Sequence, residues 1–124
     1  MSDKTEPRGR KGITDMTVIE LAAVCGFKAL ALPDGEREVS GVYIGDLLSW
    51  VMGRAKADDA WITIMSNVNV IAVATLSDTS CVIFAEGVTP DSELVATAMA
   101  KGVNLLSSDL PAYETAKALA VLPL

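Results

Sequence analysis

The feature that most constrains the fold is an alternation of short apolar strands with helices, which begins at Val39 and repeats four times. This order predicts a mainly parallel sheet of about five strands, with right-handed crossovers and helices on its faces. The composition agrees, since 51% of the 124 residues are hydrophobic and only 5% are aromatic, so Val, Ile, Leu and Ala must form the core. We therefore expect an α/β domain.

Capping residues and apolar runs set the expected boundaries of the elements. Thr17 and Glu20 have the spacing of a capping box, and Gly26 ends the helix that they open. The predicted strands are 28–32, 39–44, 61–65, 81–85 and 103–106. The later helices are expected to open at Asp46, at Ser66 or Asn67, at Thr89 with Pro90 in the first helical position, and at Pro111.

Charge is distributed unevenly along the chain. Residues 1–13 are rich in charge, Gly and Pro and are predicted to be a disordered tail, whereas residues 14–124 are predicted to form the domain. Four of the ten basic residues lie in the first eleven positions, and the other 113 residues carry a net charge of −8. An acidic body repels phosphate backbones, so we expect no nucleic-acid partner.

The chemistry available to the chain is limited. It contains no histidine, which removes the commonest general base and metal ligand, and we expect neither an enzyme nor a bound metal or cofactor. Cys25 and Cys81 lie in apolar surroundings and are interpreted as reduced, structural thiols of a cytoplasmic protein. The uncharged stretch 60–77 has Ser and Asn residues at its centre, so we expect no membrane span.

The candidate binding site lies at the carboxyl ends of the predicted strands, where open parallel sheets bind ligands. The loops there are short, rich in small polar residues, and run into helix N-termini that favour an anion. We expect a small phosphorylated ligand, although the same residues are also ordinary helix caps. The candidate ligand-binding residues are Gly45, Asp46, Ser66, Asn67, Glu86, Gly87, Thr89, Ser107 and Ser108.

Trp50 is the candidate anchor for a protein partner. It lies on a predicted short helix in a chain with few aromatic residues, and tryptophan is enriched at interface centres. The alternative interpretation is that Trp50 packs within the domain.

Two long runs resemble a known family. These runs are VSGVYIGDLLSWVMGRA at 39–55 and DDAWITIMSNVNVIAVA at 58–74, and they are similar to stand-alone DRTGG-domain proteins of anaerobic bacteria. The resemblance extends over about residues 16–119. It implies the fold of the N-terminal domain of HPr serine kinase/phosphorylases, which is similar to the N-terminal domain of Mur ligases.

The resemblance implies a regulatory or assembly-forming role without chemistry, acting as a homodimer or with anaerobic redox, hydrogenase or signalling proteins. The sequence departs from the residues that name the family. Ser66 and Asn67 stand where its Asp-Arg pair would lie, and Ala85-Glu86-Gly87 stands where its Thr-Gly-Gly would follow the fourth strand. A ligand held through that arginine would lose its charge partner here.

Two functions follow as hypotheses. The first is a non-enzymatic regulatory or ligand-sensing domain that binds an adenine nucleotide at the carboxyl ends of the strands. The alternative is a protein-interaction or dimerisation module with no small-molecule ligand.

Overall fold

The computed structural model describes residues 16–124, so the predicted tail at 1–13 lies outside the described residues. Within this range, four strand–helix pairs follow one another as predicted. The strands are β1 (Met16–Thr17), β2 (Lys28–Ala31), β3 (Glu38–Val39), β4 (Gly41–Ile44), β5 (Asp59–Thr63), β6 (Cys81–Phe84) and β7 (Leu105–Ser107). The helices are α1 (Val18–Cys25), α2 (Leu48–Arg54), α3 (Asn69–Ser77), α4 (Ser92–Lys101) and α5 (Ala112–Ala120).

Five strands form one sheet in the order β2-β7-β6-β5-β4. Strands β4, β5, β6 and β7 are parallel, and β2 pairs with β7 in the antiparallel sense. The prediction of a mainly parallel, five-stranded α/β sheet is confirmed. All four parallel strands start at one end of the sheet, the amino end, and finish at the other, the carboxyl end.

The predicted strand at 39–44 is divided in two. β3 pairs with β1 in a separate two-stranded antiparallel sheet, whereas β4 pairs with β5. Ser40 lies between the two strands, where the chain passes from one sheet to the other, and its N–H donates to the carbonyl of Asp58 at 3.0 Å. The sequence pattern missed this division because alternation of side chains does not say which strand is the partner.

Both faces of the sheet are covered. Trp61 and Phe84 pack on the face that α2, α3 and α4 cover, and Ile62 and Ile83 pack on the face that α1 and α5 cover. All four side chains are fully buried. Burial on both faces explains why the strands form continuous apolar runs in the sequence.

The start and end of α1 are as predicted. The hydroxyl of Thr17 accepts from the N–H of Glu20 at 3.2 Å, and the Glu20 carboxylate accepts from the N–H of Thr17 at 3.0 Å. Gly26 ends the helix with a φ of 74°, a left-handed conformation in which a side chain would be strained.

Three predicted caps are wrong. The cap of α3 was expected at Ser66 or Asn67, but the N-cap position belongs to Val68. Asp46 does not cap α2, because the N-cap position belongs to Leu47, which makes no side-chain capping bond. Thr89 does not cap α4 either, because the helix begins two residues after Pro90 and the carboxylate of Asp91 accepts from the N–H of Leu94 at 2.9 Å. Several small polar residues precede each helix, so composition alone does not select the one that caps.

At the amino end of the sheet, a buried side-chain amide joins several segments by hydrogen bonds. Asn104 is 1% exposed, and its Nδ2 donates to the carbonyls of Asp34 and Ser80 at 2.8 and 2.9 Å. Its Oδ1 accepts from the N–H of Asp34 at 3.0 Å. One side chain therefore joins the turn after β2 to the segments that lead into β6 and β7.

A guanidinium joins the neighbouring segments at the same end. Arg37 contacts the carboxylates of Asp58 and Asp78 at 2.9 and 2.8 Å, and it also donates to the carbonyl of Asp78 at 2.7 Å. Partial burial lowers the pKa of Arg37, but its bonds to Asp58 and Asp78 outweigh that and raise it, so the side chain stays charged. The residues of this amino-end network are Asp34, Arg37, Asp58, Asp78, Ser80 and Asn104.

Candidate functional site

The predicted site residues lie at the carboxyl end of the sheet. Because β4, β5, β6 and β7 are parallel, the loops that follow them all emerge there. Gly45 and Asp46 follow β4, and Ser66 and Asn67 follow β5. The remaining candidates follow β6 or lie at the end of β7: Glu86, Gly87, Thr89, Ser107 and Ser108.

Asp46 joins the first two loops. Its Oδ1 accepts from the hydroxyl of Thr63 at 2.8 Å and from the N–H of Ile64 at 2.9 Å. The same Thr63 hydroxyl accepts from the N–H of Met65 at 3.2 Å. The carboxylate therefore orders the end of β5, a role that sequence patterns did not suggest because Thr63 lies 17 residues away.

A groove of about 340 Å³ lies between the starts of α3 and α4. Ser66 and Asn67 line one side of it, and both are exposed. Asn67 Oδ1 accepts from the N–H of Asn69 at 2.9 Å, which satisfies one donor at the start of α3. The opposite side carries Asp91 and Glu93, which were not among the predicted site residues although the capping pattern before α4 places acidic residues there.

The other two loops are bonded to each other. Glu86 and Gly87 have φ values of 62° and 72°, and their N–H groups donate to the carbonyls of Leu110 and Ser108 at 2.8 and 3.0 Å. The carboxylate of Glu86 accepts from the N–H of Ala112 at 3.2 Å, at the start of α5. This left-handed turn thus fixes the loop after β6 against the loop after β7.

Ser107 and Ser108 differ in accessibility. Ser107 is half-buried, whereas Ser108 is buried, and its hydroxyl lies 2.8 Å from the hydroxyl of Thr115 and accepts from the N–H of Leu110 at 3.1 Å. The Ser108 hydroxyl is thus part of the packing of α5. Thr89 is exposed, and its hydroxyl makes a long contact of 3.5 Å with the carbonyl of Gly87.

The carboxyl end is acidic. Its loops, residues 45–47, 64–68, 85–91 and 107–111, contain four carboxylates and no lysine or arginine. A phosphate group entering there meets helix N-termini but no cationic side chain of these loops. Within residues 16–124, no group of three or more His, Cys, Asp or Glu residues is arranged to hold a metal ion.

The two cysteines have structural surroundings. Cys81 is fully buried in β6, and burial raises its pKa to about 12, although a bond with Ser80 and the charge of Arg37 act in the opposite direction. Cys25 is half-buried, and burial raises its pKa as well. Thiolate is the reactive form of cysteine, so these pKa directions oppose reactivity.

Trp50 is exposed on the surface of α2, with 52% of its area accessible. The guanidinium of Arg54 lies over the indole ring, 3.7 Å from its centroid. Trp50 is therefore not part of the core, and it presents an exposed aromatic surface on α2.

These features agree with one family of domains. The family model for the DRTGG domain matches residues 20–122. This chain belongs to the DRTGG domain family. The match includes all the loops at the carboxyl end of the sheet.

A solved structure shares the fold of this DRTGG domain. It is the crystal structure of the CBS and DRTGG domains of the regulatory region of Clostridium perfringens pyrophosphatase, complexed with the activator diadenosine tetraphosphate. The TM-score is 0.68 at 15% sequence identity, and the match covers 84% of this chain but 45% of that one. This chain thus spans less than half of that structure's length. No curated protein matches this chain in sequence.

No helix within residues 16–124 has both the length and the apolar character needed to cross a membrane. The uncharged stretch at 60–77 is divided among β5, a loop and α3.

Proposed function

We propose that this DRTGG domain is a non-catalytic regulatory module of the cytoplasm that binds an adenine nucleotide at the carboxyl end of its sheet. The ligand state is transmitted to a redox, hydrogenase or signalling protein. The observation that carries the proposal is the meeting of four strand–helix loops at one end of the sheet, with an open groove between α3 and α4.

The similar pyrophosphatase supports a regulatory role. Its CBS and DRTGG domains form a regulatory region, and its activator is a dinucleotide of adenosine. At this chain's carboxyl end, the accessible groups are hydroxyls, amides and carboxylates, which can bind a ligand by hydrogen bonds. The absence of histidine from the sequence agrees with binding rather than acid–base chemistry.

The charge of the groove predicts how a nucleotide binds. Asp91 and Glu93 lie across from Ser66 and Asn67, and they repel the phosphates of a free nucleotide. A bound Mg²⁺ would offset this repulsion by bridging the phosphates to a carboxylate. We therefore propose that the magnesium complex of the nucleotide is the ligand.

Isothermal titration calorimetry with ATP, AMP and diadenosine tetraphosphate, each with and without Mg²⁺, tests this proposal. We expect saturable binding of at least one of these nucleotides, strengthened by Mg²⁺. Ser66→Trp fills the groove and should abolish binding. Ala23→Trp places the same side chain at an exposed position on α1, outside the site, and should leave binding unchanged.

Two results would count against the sensor. One is the absence of heat and of any thermal shift with all three nucleotides. The other is equal loss of binding in the Ser66→Trp and Ala23→Trp variants, which would point away from the groove.

The second candidate function is a dimerisation module without a ligand. It is favoured by Trp50, whose indole is exposed although tryptophan is usually largely buried. An aromatic side chain of this size is a common anchor of protein interfaces.

A further inference from the structure

Within residues 16–124, strand β4 leaves one edge of the main sheet unpaired. In the sheet order it is the last strand, and among the described strands it pairs with β5 alone. The N–H of Gly45 donates to the carbonyl of Ile62, and backbone groups alternate in direction along a strand. The N–H and C=O groups of Val42 and Ile44 therefore point away from β5, toward the open edge.

The two outer strands of the sheet are protected differently. The outer strand β2 carries an exposed lysine, Lys28, and its pairing with β7 is irregular between Ala29 and Ala31. Lysines and irregular pairing are devices that prevent sheets from joining edge to edge. Strand β4, with the sequence GVYI, has no charge and no proline, and its Val42 and Ile44 side chains are 37% and 51% exposed.

Charges of opposite sign lie at the two ends of β4. A groove of about 360 Å³ beside its amino end is lined by Arg54 and Lys56, and neither forms an ion pair within residues 16–124. Asp59 also lines that groove, but its side chain is buried and accepts from the N–H of Lys56. The exposed carboxylate of Asp46 follows the carboxyl end of β4.

We propose that two copies of this chain pair through β4 in the antiparallel sense, about a two-fold axis at Tyr43. This pairing places Val42 of each copy opposite Ile44 of the other, and the outward N–H and C=O groups of both are satisfied. The two five-stranded sheets become one of ten strands. This inference deepens the dimerisation alternative given above and does not depend on a nucleotide.

Charge complementarity favours antiparallel over parallel pairing of two copies. Antiparallel pairing brings Arg54 and Lys56 of each copy to the end of β4 where Asp46 of the other copy lies, whereas parallel pairing would bring like charges together. Trp50 lies on the same helix and stacks against Arg54, which lines the groove at the amino end of β4, so its exposed ring is available to extend the interface.

Light scattering and analytical ultracentrifugation of the full chain test the pairing. We expect a particle of twice the 13.0 kDa chain mass that dissociates on dilution. Ile44→Lys should give a monomer with unchanged circular dichroism, because the side chain is exposed in the single chain. Leu76→Lys places the same charge at an equally apolar, exposed position on α3 and should leave the dimer intact.

Two double variants test the contribution of charge to the dimer. Arg54→Glu with Lys56→Glu should raise the dimer dissociation constant about tenfold or more, through repulsion from Asp46. Lys28→Glu with Lys101→Glu changes the net charge equally, at β2 and at the end of α4, and should have little effect.

Hydrogen exchange of the wild-type chain gives a test without substitutions. The amides of Val42 and Ile44 should exchange more slowly as the protein concentration rises.

A monomer at all concentrations, or a dimer that survives Ile44→Lys, would overturn the proposal. So would protection that is independent of concentration and is lost on deletion of residues 1–12, because the chain's own amino-terminal segment would then cover β4. If the chain dimerises through β4 but binds no nucleotide, the proposal of nucleotide sensing fails and the proposal of pairing through β4 stands.

Discussion

The two ends of the sheet differ in how their polar groups are used. At the amino end, the buried side chain of Asn104 and the contacts of Arg37 with two carboxylates join segments that are far apart in sequence. At the carboxyl end, Ser66, Asn67 and Thr89 are exposed, and the side-chain hydrogen bonds of Asn67 and Thr89 reach no further than two residues along the chain. Asp46 and Glu86 at the same end still make long-range bonds that order the loops, so the contrast with the amino end lies in the exposed side chains of Ser66, Asn67 and Thr89.

The largest expected effect is on the rate at which the two cysteine thiols are labelled. Cys81 follows the amino-end network directly and is fully buried, whereas Cys25 at the end of α1 is half-buried. At pH 8, labelling of Cys81 in the folded chain should be on the order of a thousandfold slower than in the unfolded chain, since it requires near-global opening. Thiol labelling followed by mass spectrometry measures both sites, and Cys25 should react first.

The Cys81 pKa also has a consequence for stability. Its pKa is about 12 in the folded chain, against 9.0 for an ordinary thiol. The folded state therefore keeps a proton that the unfolded state loses, so the contribution is complete below pH 9 and is lost as the pH rises toward 12. Denaturation between pH 8 and 11 should show this decline, and Cys81→Ala should reduce its slope.

Asn104→Ala should cause the next largest effect. It leaves the N–H and C=O of Asp34 and the carbonyl of Ser80 without their partner, and unsatisfied buried groups cost about 1–3 kcal/mol each before relaxation. We expect a loss of about 2–4 kcal/mol in the free energy of unfolding, measured by urea denaturation. Asn67→Ala, its counterpart at the carboxyl end, should cost about 1 kcal/mol or less. Equal losses of stability in the two variants would contradict a difference between the two ends of the sheet.

Arg37→Met should have an intermediate effect. The variant keeps the apolar stem but removes the contacts to Asp58 and Asp78, which are themselves partly exposed. Because solvent screens such pairs, we expect a loss of about 1 kcal/mol that becomes smaller at high salt. Urea denaturation at low and high NaCl measures it, and a loss independent of salt would contradict an electrostatic origin.

Ser66→Ala should have the smallest effect on stability. The side chain is exposed and lines the groove, so the free energy of unfolding should change by no more than about 0.5 kcal/mol. The same variant should weaken nucleotide binding in calorimetry if the groove is the site. A large loss of stability with unchanged nucleotide binding would show that Ser66 supports the fold and not the binding of a ligand.

Much of the fold was predictable from local patterns. The strand–helix alternation predicted the parallel sheet, and Thr17, Glu20 and Gly26 predicted the boundaries of α1, because capping depends on residues within one helical turn. The location of the candidate residues at the carboxyl end followed from the same alternation. Their ligand stays a prediction.

Other features were not predictable for a physical reason. The caps of α2, α3 and α4 were assigned to small polar residues that lie one or two positions too early, since several such residues precede each helix and only packing selects among them. The division at Ser40 depends on which strand lies beside it. The groove opposite Ser66 includes Asp91, which becomes its neighbour only when α3 and α4 pack side by side.

The sequence by itself determined the order of elements, the two-sided burial of the strands and the shortage of reactive groups, because periodicity and composition are local or additive properties. Only the tertiary structure decided that Asn104 would contact Asp34, 70 residues away, and that Asp46 would bond to the end of β5 rather than cap α2. It also decided that β4 would be an outer strand of the sheet formed by residues 16–124. Such contacts depend on how distant segments are brought together, and no local pattern records that arrangement.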